Sequence, residues 1–115
     1  MLFDYSISEH GSYTVIVLKG DLIERTQATE MLMKVDELIA RNKSKFAIDL
    51  SDLKYMNSSG LNTLIQLLTR ARNNGGDTVM YNMNKKISEL LVVTKLNTLF
   101  KVEDTEEQAL KTLGI

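Results

Sequence analysis

The stretch that most limits what this chain can fold into is Phe46-Ala47-Ile48-Asp49-Leu50, five residues with one polar side chain. A strand that lacks alternation of polar and apolar residues is covered on both faces, as in a sheet layered with helices. The chain has 115 residues to supply that cover, enough for one real core and not for two. Residues 1–115 are accordingly read as a single domain.

The flanking sequence provides the other layers. Phe3 to Ile7 and Tyr13 to Leu18 are β-rich runs separated by His10-Gly11-Ser12, the pattern of a hairpin, and Gly20 is expected to break the second strand. From about Thr26 to Arg41 the spacing becomes helical, with Ala28, Met31, Leu32, Val35, Leu38 and Ile39 on one stripe. After Leu50 a short polar loop is expected, then a helix to about Asn74 with Leu61, Leu64, Ile65, Leu68 and Ala71 inward. Asn74-Gly75-Gly76 stops that helix. Thr78 to Tyr81 reads as a fourth strand; Ile87, Leu90, Leu91 and Thr94 mark a third helix. Leu99 to Val102 reads as an edge strand. Thr105 and Gln108 form a capping-box pair at the head of a final helix, which Gly114 ends. The expected fold is α/β: a mixed sheet of four or five strands, an N-terminal hairpin and about four helices. So few helices leave one sheet face less covered than the other. The six methionines, including Met31 and Met33, read as gap fillers of the core.

Composition excludes several functions. Fourteen basic and fifteen acidic residues give a formal charge of -1, too balanced for electrostatic binding to nucleic acid or an anionic membrane. With no cysteine, a disulfide framework, a thiolate metal site and a cysteine nucleophile are all ruled out. Met1-Leu2-Phe3-Asp4-Tyr5 lacks the basic flank and apolar core of a signal peptide, and no apolar run approaches the ~18 residues of a membrane span. A cytoplasmic location is expected.

Catalysis finds little support. The lone histidine, His10, falls in the hairpin turn and reads as a solvated loop residue. Ser58 has no base nearby in sequence, and Met56 stands where a nucleophile elbow needs glycine. Gly75-Gly76 lacks the Lys and Ser/Thr of a phosphate-cradling loop. Asp49 and Asp52 have no further ligand at metal-binding spacing. Asp49 could end the third strand of a phosphorelay receiver, but the opening hairpin offers no acidic pair to bind Mg²⁺. No metal, cofactor or enzymatic activity is expected.

What remains is the corner Asn57-Ser58-Ser59-Gly60-Leu61. Free N–H groups at a helix start favour anions there, so a serine at this point is either a helix cap or a place where phosphate is added and read. By spacing alone the serine cap is sufficient, with Gly60 letting the chain turn.

Asn57-Ser58-Ser59-Gly60-Leu61, preceded by Leu50-Ser51-Asp52-Leu53-Lys54-Tyr55-Met56, resembles the signature loop of anti-sigma factor antagonists, members of the STAS domain family. Val17-Leu18-Lys19-Gly20-Asp21-Leu22 is similar to the family's Gly-acid-Leu segment, and Glu106-Glu107-Gln108-Ala109-Leu110 with Leu113-Gly114 to its tail. The resemblance implies a non-catalytic regulatory binding module whose partner is an anti-sigma factor that is also a serine kinase. It implies phosphorylation of Ser58 and removal of that phosphate by a metal-dependent serine phosphatase; the free chain is expected to be a monomer. Asn57, Ser59, Gly60, Asn62, Gln66, Gly20 and Asp21 are the corresponding partner-binding candidates. Two positions depart from the family pattern: Asn57 replaces an aspartate, and Ile23 stands where many members carry an acid. Both make the serine's surroundings less acidic, and Asn57 is itself able to cap the helix, so the fold is expected to be kept. STAS domains also serve as adaptor or scaffold subunits, in transporters or sensory assemblies, without a serine switch.

Overall fold

The structure, a computed structural model, describes residues 2–115. Five strands run β1 (Asp4–Glu9), β2 (Thr14–Leu22), β3 (Lys45–Met56), β4 (Asp77–Tyr81) and β5 (Lys101–Glu103). They lie side by side in chain order; β1 is antiparallel to β2 and every other pairing is parallel. The helices are α1 (Thr29–Ala40), α2 (Ser58–Asn73), α3 (Lys85–Val93) and α4 (Glu106–Thr112), with a 3₁₀ turn (Arg25–Ala28) ahead of α1 and another (Leu96–Thr98) after α3.

Parallel neighbours need a crossover, and α1, α2 and α3 are those crossovers. All three pack on one face: Met31, Val35, Leu64, Leu68, Ile87 and Leu91 share a core with Ile16, Ile48 and Met80 of the sheet. On the other face Val15, Ala47, Val79 and Tyr81 pack with α4, the one helix on that side among the described residues, through Ala109 and Leu113. The apolar run of β3 is thus buried on both sides, and the expected mixed sheet with one thinly covered face is what forms.

Three local expectations are corrected. β2 does not break at Gly20 but continues to Leu22; Gly20 adopts φ +82, and a Cβ there would lie 2.1 Å from the Leu2 carbonyl oxygen. β3 does not give way to a loop after Leu50, because Asp52, Leu53, Tyr55 and Met56 stay paired with Lys19 to Leu22. Two register shifts absorb the extra residues of β3: Val17 and Lys19 face Asp49 and Asp52, and Gly20 and Asp21 face Leu53 and Tyr55. The last strand begins at Lys101 rather than Leu99, and Phe100 is buried in the core. Met31, Met56 and Met80 fill the interior, whereas Met33 is 62% exposed on α1. His10 lies exposed in the hairpin turn, stacked on Tyr13.

Candidate functional site

The chain turns from β3 into α2 at Asn57, and the side chain of Asn57 holds that corner from both ends. Its Oδ1 accepts from the Gly60 amide at 3.1 Å, capping α2, while its Nδ2 donates to the Ile23 carbonyl at 2.9 Å. The cap is therefore Asn57, not a serine. Gln27 secures the facing loop: its Oε1 accepts from the Ile23 and Glu24 amides, and its Nε2 donates to the Asp21 carbonyl. Gly60 lets the two segments meet, since a Cβ would stand 2.2 Å from the Leu22 carbonyl oxygen and 2.8 Å from the Met56 Cβ.

This leaves Ser58 and Ser59 in the first turn of α2, both exposed, and among the described residues neither hydroxyl has a hydrogen-bond partner. Ser58 separates two depressions. One is an open groove of about 500 Å³, lined by Tyr55, Met56, Ile87, Leu90 and Val93 with Lys86 and Glu89. The other, about 440 Å³, is polar and lined by Arg25, Ser58, Ser59 and Asn62.

From the polar depression a seam continues between α1 and α2, past Thr29, Met33 and Gln66, to Asp36 and Arg70. Its far end is fixed by Arg70, which reaches Asp36 at 3.0 Å, the Leu32 carbonyl at 3.3 Å and Gln66 Oε1 at 3.4 Å. Four-residue spacing places Ser58, Asn62, Gln66 and Arg70 along one side of α2.

The sequence-derived candidates divide on this geometry. Ser58, Ser59 and Asn62 share one exposed patch, and Gln66 lies further along the seam, half-buried against Arg70. Asp21 stands at the same end of the sheet, opposite Tyr55. Gly20 and Gly60 are buried, so close backbone packing rather than contact with a partner requires them. Arg25 and Met33 line the same depressions and were not among those candidates. Nothing local marks them, because only the α1–α2 packing brings them beside Ser58 and Gln66.

Ser58 thus presents an exposed hydroxyl at the entrance of α2 with a depression on either side. In comparison with known proteins, the STAS domain model matches residues 4–109, and the chain belongs to that family. The chain is 25% identical over 116 residues to the anti-sigma F factor antagonist of Paenibacillus polymyxa, covering 100% of this chain and 98% of that one. Its fold matches an anti-sigma factor antagonist of Mycobacterium paratuberculosis with a TM-score of 0.79 at 17% identity, covering 98% and 95% of the two chains. It also matches the phosphorylated form of the Bacillus cell fate determinant SpoIIAA, with a TM-score of 0.72 at 18% identity over 95% and 98% of the chains.

Proposed function

We propose that this chain is an anti-sigma factor antagonist that binds an anti-sigma factor and is switched off by phosphorylation of Ser58. The observation that carries this reading is the division of labour at the corner. Asn57 caps α2, so the Ser58 hydroxyl is not needed for the fold and stands exposed beside two depressions. The full-length relationship to an anti-sigma F factor antagonist supports the choice of partner.

In the proposed reaction the anti-sigma factor acts as a kinase. The Ser58 oxygen bonds to the γ-phosphorus of ATP, ADP leaves, and the hydroxyl proton passes to a base on the kinase. A metal-dependent serine phosphatase hydrolyses the ester and restores the hydroxyl. The added group carries about -1.5 to -2 charge. The α2 entrance tolerates it in the free protein, but a packed interface has to desolvate it and is repelled through any carboxylate the partner brings there. A penalty of ~3 kcal/mol weakens binding on the order of a hundredfold without a change of fold.

Docking on the corner uses Ser59, Asn62 and the α1–α2 seam, with Arg25 and Met33 as added contacts. The chain supplies binding and presents the hydroxyl; the chemistry belongs to the kinase and phosphatase. The test is incubation with ATP and the cognate kinase-type anti-sigma factor. Phosphate is expected on Ser58 and is lost in Ser58→Ala. No transfer, with tight binding to a transporter or sensory subunit instead, favours an adaptor without a switch.

A further inference from the structure

The surroundings of Ser58 differ in kind on its two sides, and the difference decides where a phosphate on it settles. On the α3 side the groove is mainly apolar; Glu89 pairs with Lys85 at 3.9 Å, and Lys86 stands on that side as an exposed cation. The other side is polar, and Arg25 is the charged residue that lines it. Arg25 is exposed, and among the described residues it forms no ion pair. Asn57 and Ile23 bring no negative charge to the corner.

A phosphate covalently attached to Ser58 needs no pocket to bind it; it needs only a preferred direction. Turning toward the α3 groove offers Lys86, but it costs hydration against Tyr55, Ile87, Leu90 and Val93. Turning toward Arg25 keeps it in water and offers a planar fork of N–H donors suited to phosphate.

We infer that Arg25 pairs in cis with the phosphate on Ser58, turning it into the polar depression and neutralising the cation that the unmodified face presents. This inference rests on the proposed phosphorylation of Ser58 and adds the residue that reads it. Modification then acts twice on a docking partner: the depression is filled, and Arg25 is withdrawn from any carboxylate of the partner. Lys86, reached only along the apolar lining of the groove, takes the smaller share.

The test uses the full chain with phosphoserine placed at position 58 by codon reassignment, so that no kinase is required. The phosphate is titrated by phosphorus NMR in the wild type, Arg25→Gln and Lys86→Gln. An ordinary phosphoserine loses its second proton near pH ~6. The wild type is expected to titrate below that, and Arg25→Gln to raise the midpoint by about 0.5, the scale of an exposed ion pair. Lys86→Gln is expected to move it less. The helix entrance is common to all three proteins, so the difference isolates the side chains. Equal midpoints in wild type and Arg25→Gln, or a larger rise in Lys86→Gln, overturn the inference. Failure of the proposed function has a separate signature, the absence of phosphate transfer to Ser58 from ATP. Amide spectra of the variants check that the fold is intact, since both residues are exposed.

Discussion

The two ends of the sheet are fastened by different chemistry. Where the parallel strands begin, charges join the elements. Glu9 meets Lys43 at 2.7 Å and Arg41 at 3.4 Å, and Asp77 meets Lys101 at 2.6 Å and Arg72 at 3.1 Å. Where the strands end, carboxamides do the joining. Asn57 links α2 to Ile23, Gln27 closes the loop from Asp21 to Glu24, and Asn84 caps α3 while donating to the Leu53 carbonyl at 2.9 Å. Neutral staples hold a loop whatever charge arrives beside it. A dianion can be added to and removed from Ser58 without breaking the contacts that shape the corner, whereas the same charge at the opposite end would compete with Glu9 and Asp77 for their cations.

The largest effect that sharpens this contrast is expected from Gly60→Ala. Its new methyl collides with the Leu22 carbonyl, and backbone cannot step aside as a side chain does. A loss of about 3 kcal/mol in denaturant unfolding is expected. A loss under about 1 kcal/mol would mean that the corner yields, and stiffness would drop out of the account.

Asp77→Asn should cost roughly 1 to 2 kcal/mol at neutral pH, because it unfastens β4 from α2 and β5 together. Burial pushes the Asp77 carboxyl up, but hydrogen bonds from Lys101, the Thr78 amide and Arg72 more than offset it and hold it below the usual value of 3.8. Lys43 and then Arg41 likewise hold Glu9 below 4.5. Both carboxyls are more acidic folded than unfolded. Their contribution is present in full above those ordinary values and is lost as pH falls through the lowered ones. Thermal melts should therefore fall in midpoint below about pH 4, and less steeply in Asp77→Asn.

Asn57→Asp is a sharper probe of the neutral end. The new carboxylate still accepts from the Gly60 amide, but it has no proton for the Ile23 carbonyl and sets a negative oxygen against it. A loss of about 1 kcal/mol is expected, after the favourable helix entrance is allowed for. A gain in stability would mean that the carboxamide is dispensable. The smallest effect belongs to Ser58→Ala, which removes a hydroxyl without a partner among the described residues and should change stability by less than ~0.5 kcal/mol.

Most of the scaffold could be read from residue order. The helical stripes Met31–Val35–Leu38 and Leu61–Leu64–Leu68 turn inward as their spacing predicts, and the run Phe46 to Leu50 is the buried strand it resembles. The second half of β3 was hidden for a physical reason. With two bulges, its buried side chains fall at Leu50, Leu53 and Met56, a spacing of three that no flat strand produces. The Ser58 loop was legible as a motif and Asn57 as an alternative cap, but which of the two residues caps was not. Serine and asparagine both cap helices, and only the Ile23 carbonyl across the corner explains why Asn57 takes the position. Arg25 carries no local signal at all; its place beside Ser58 is a product of tertiary packing.

The central claim, that charge on Ser58 gates docking, is tested most directly by calorimetric titration of the cognate anti-sigma factor with three proteins: unmodified, phosphorylated at Ser58, and Ser58→Asp. The account predicts tight binding of the first and affinity lower by on the order of a hundredfold in the phosphorylated protein, with Ser58→Asp also strongly weakened and all three equally folded. Equal affinities across the three would contradict it.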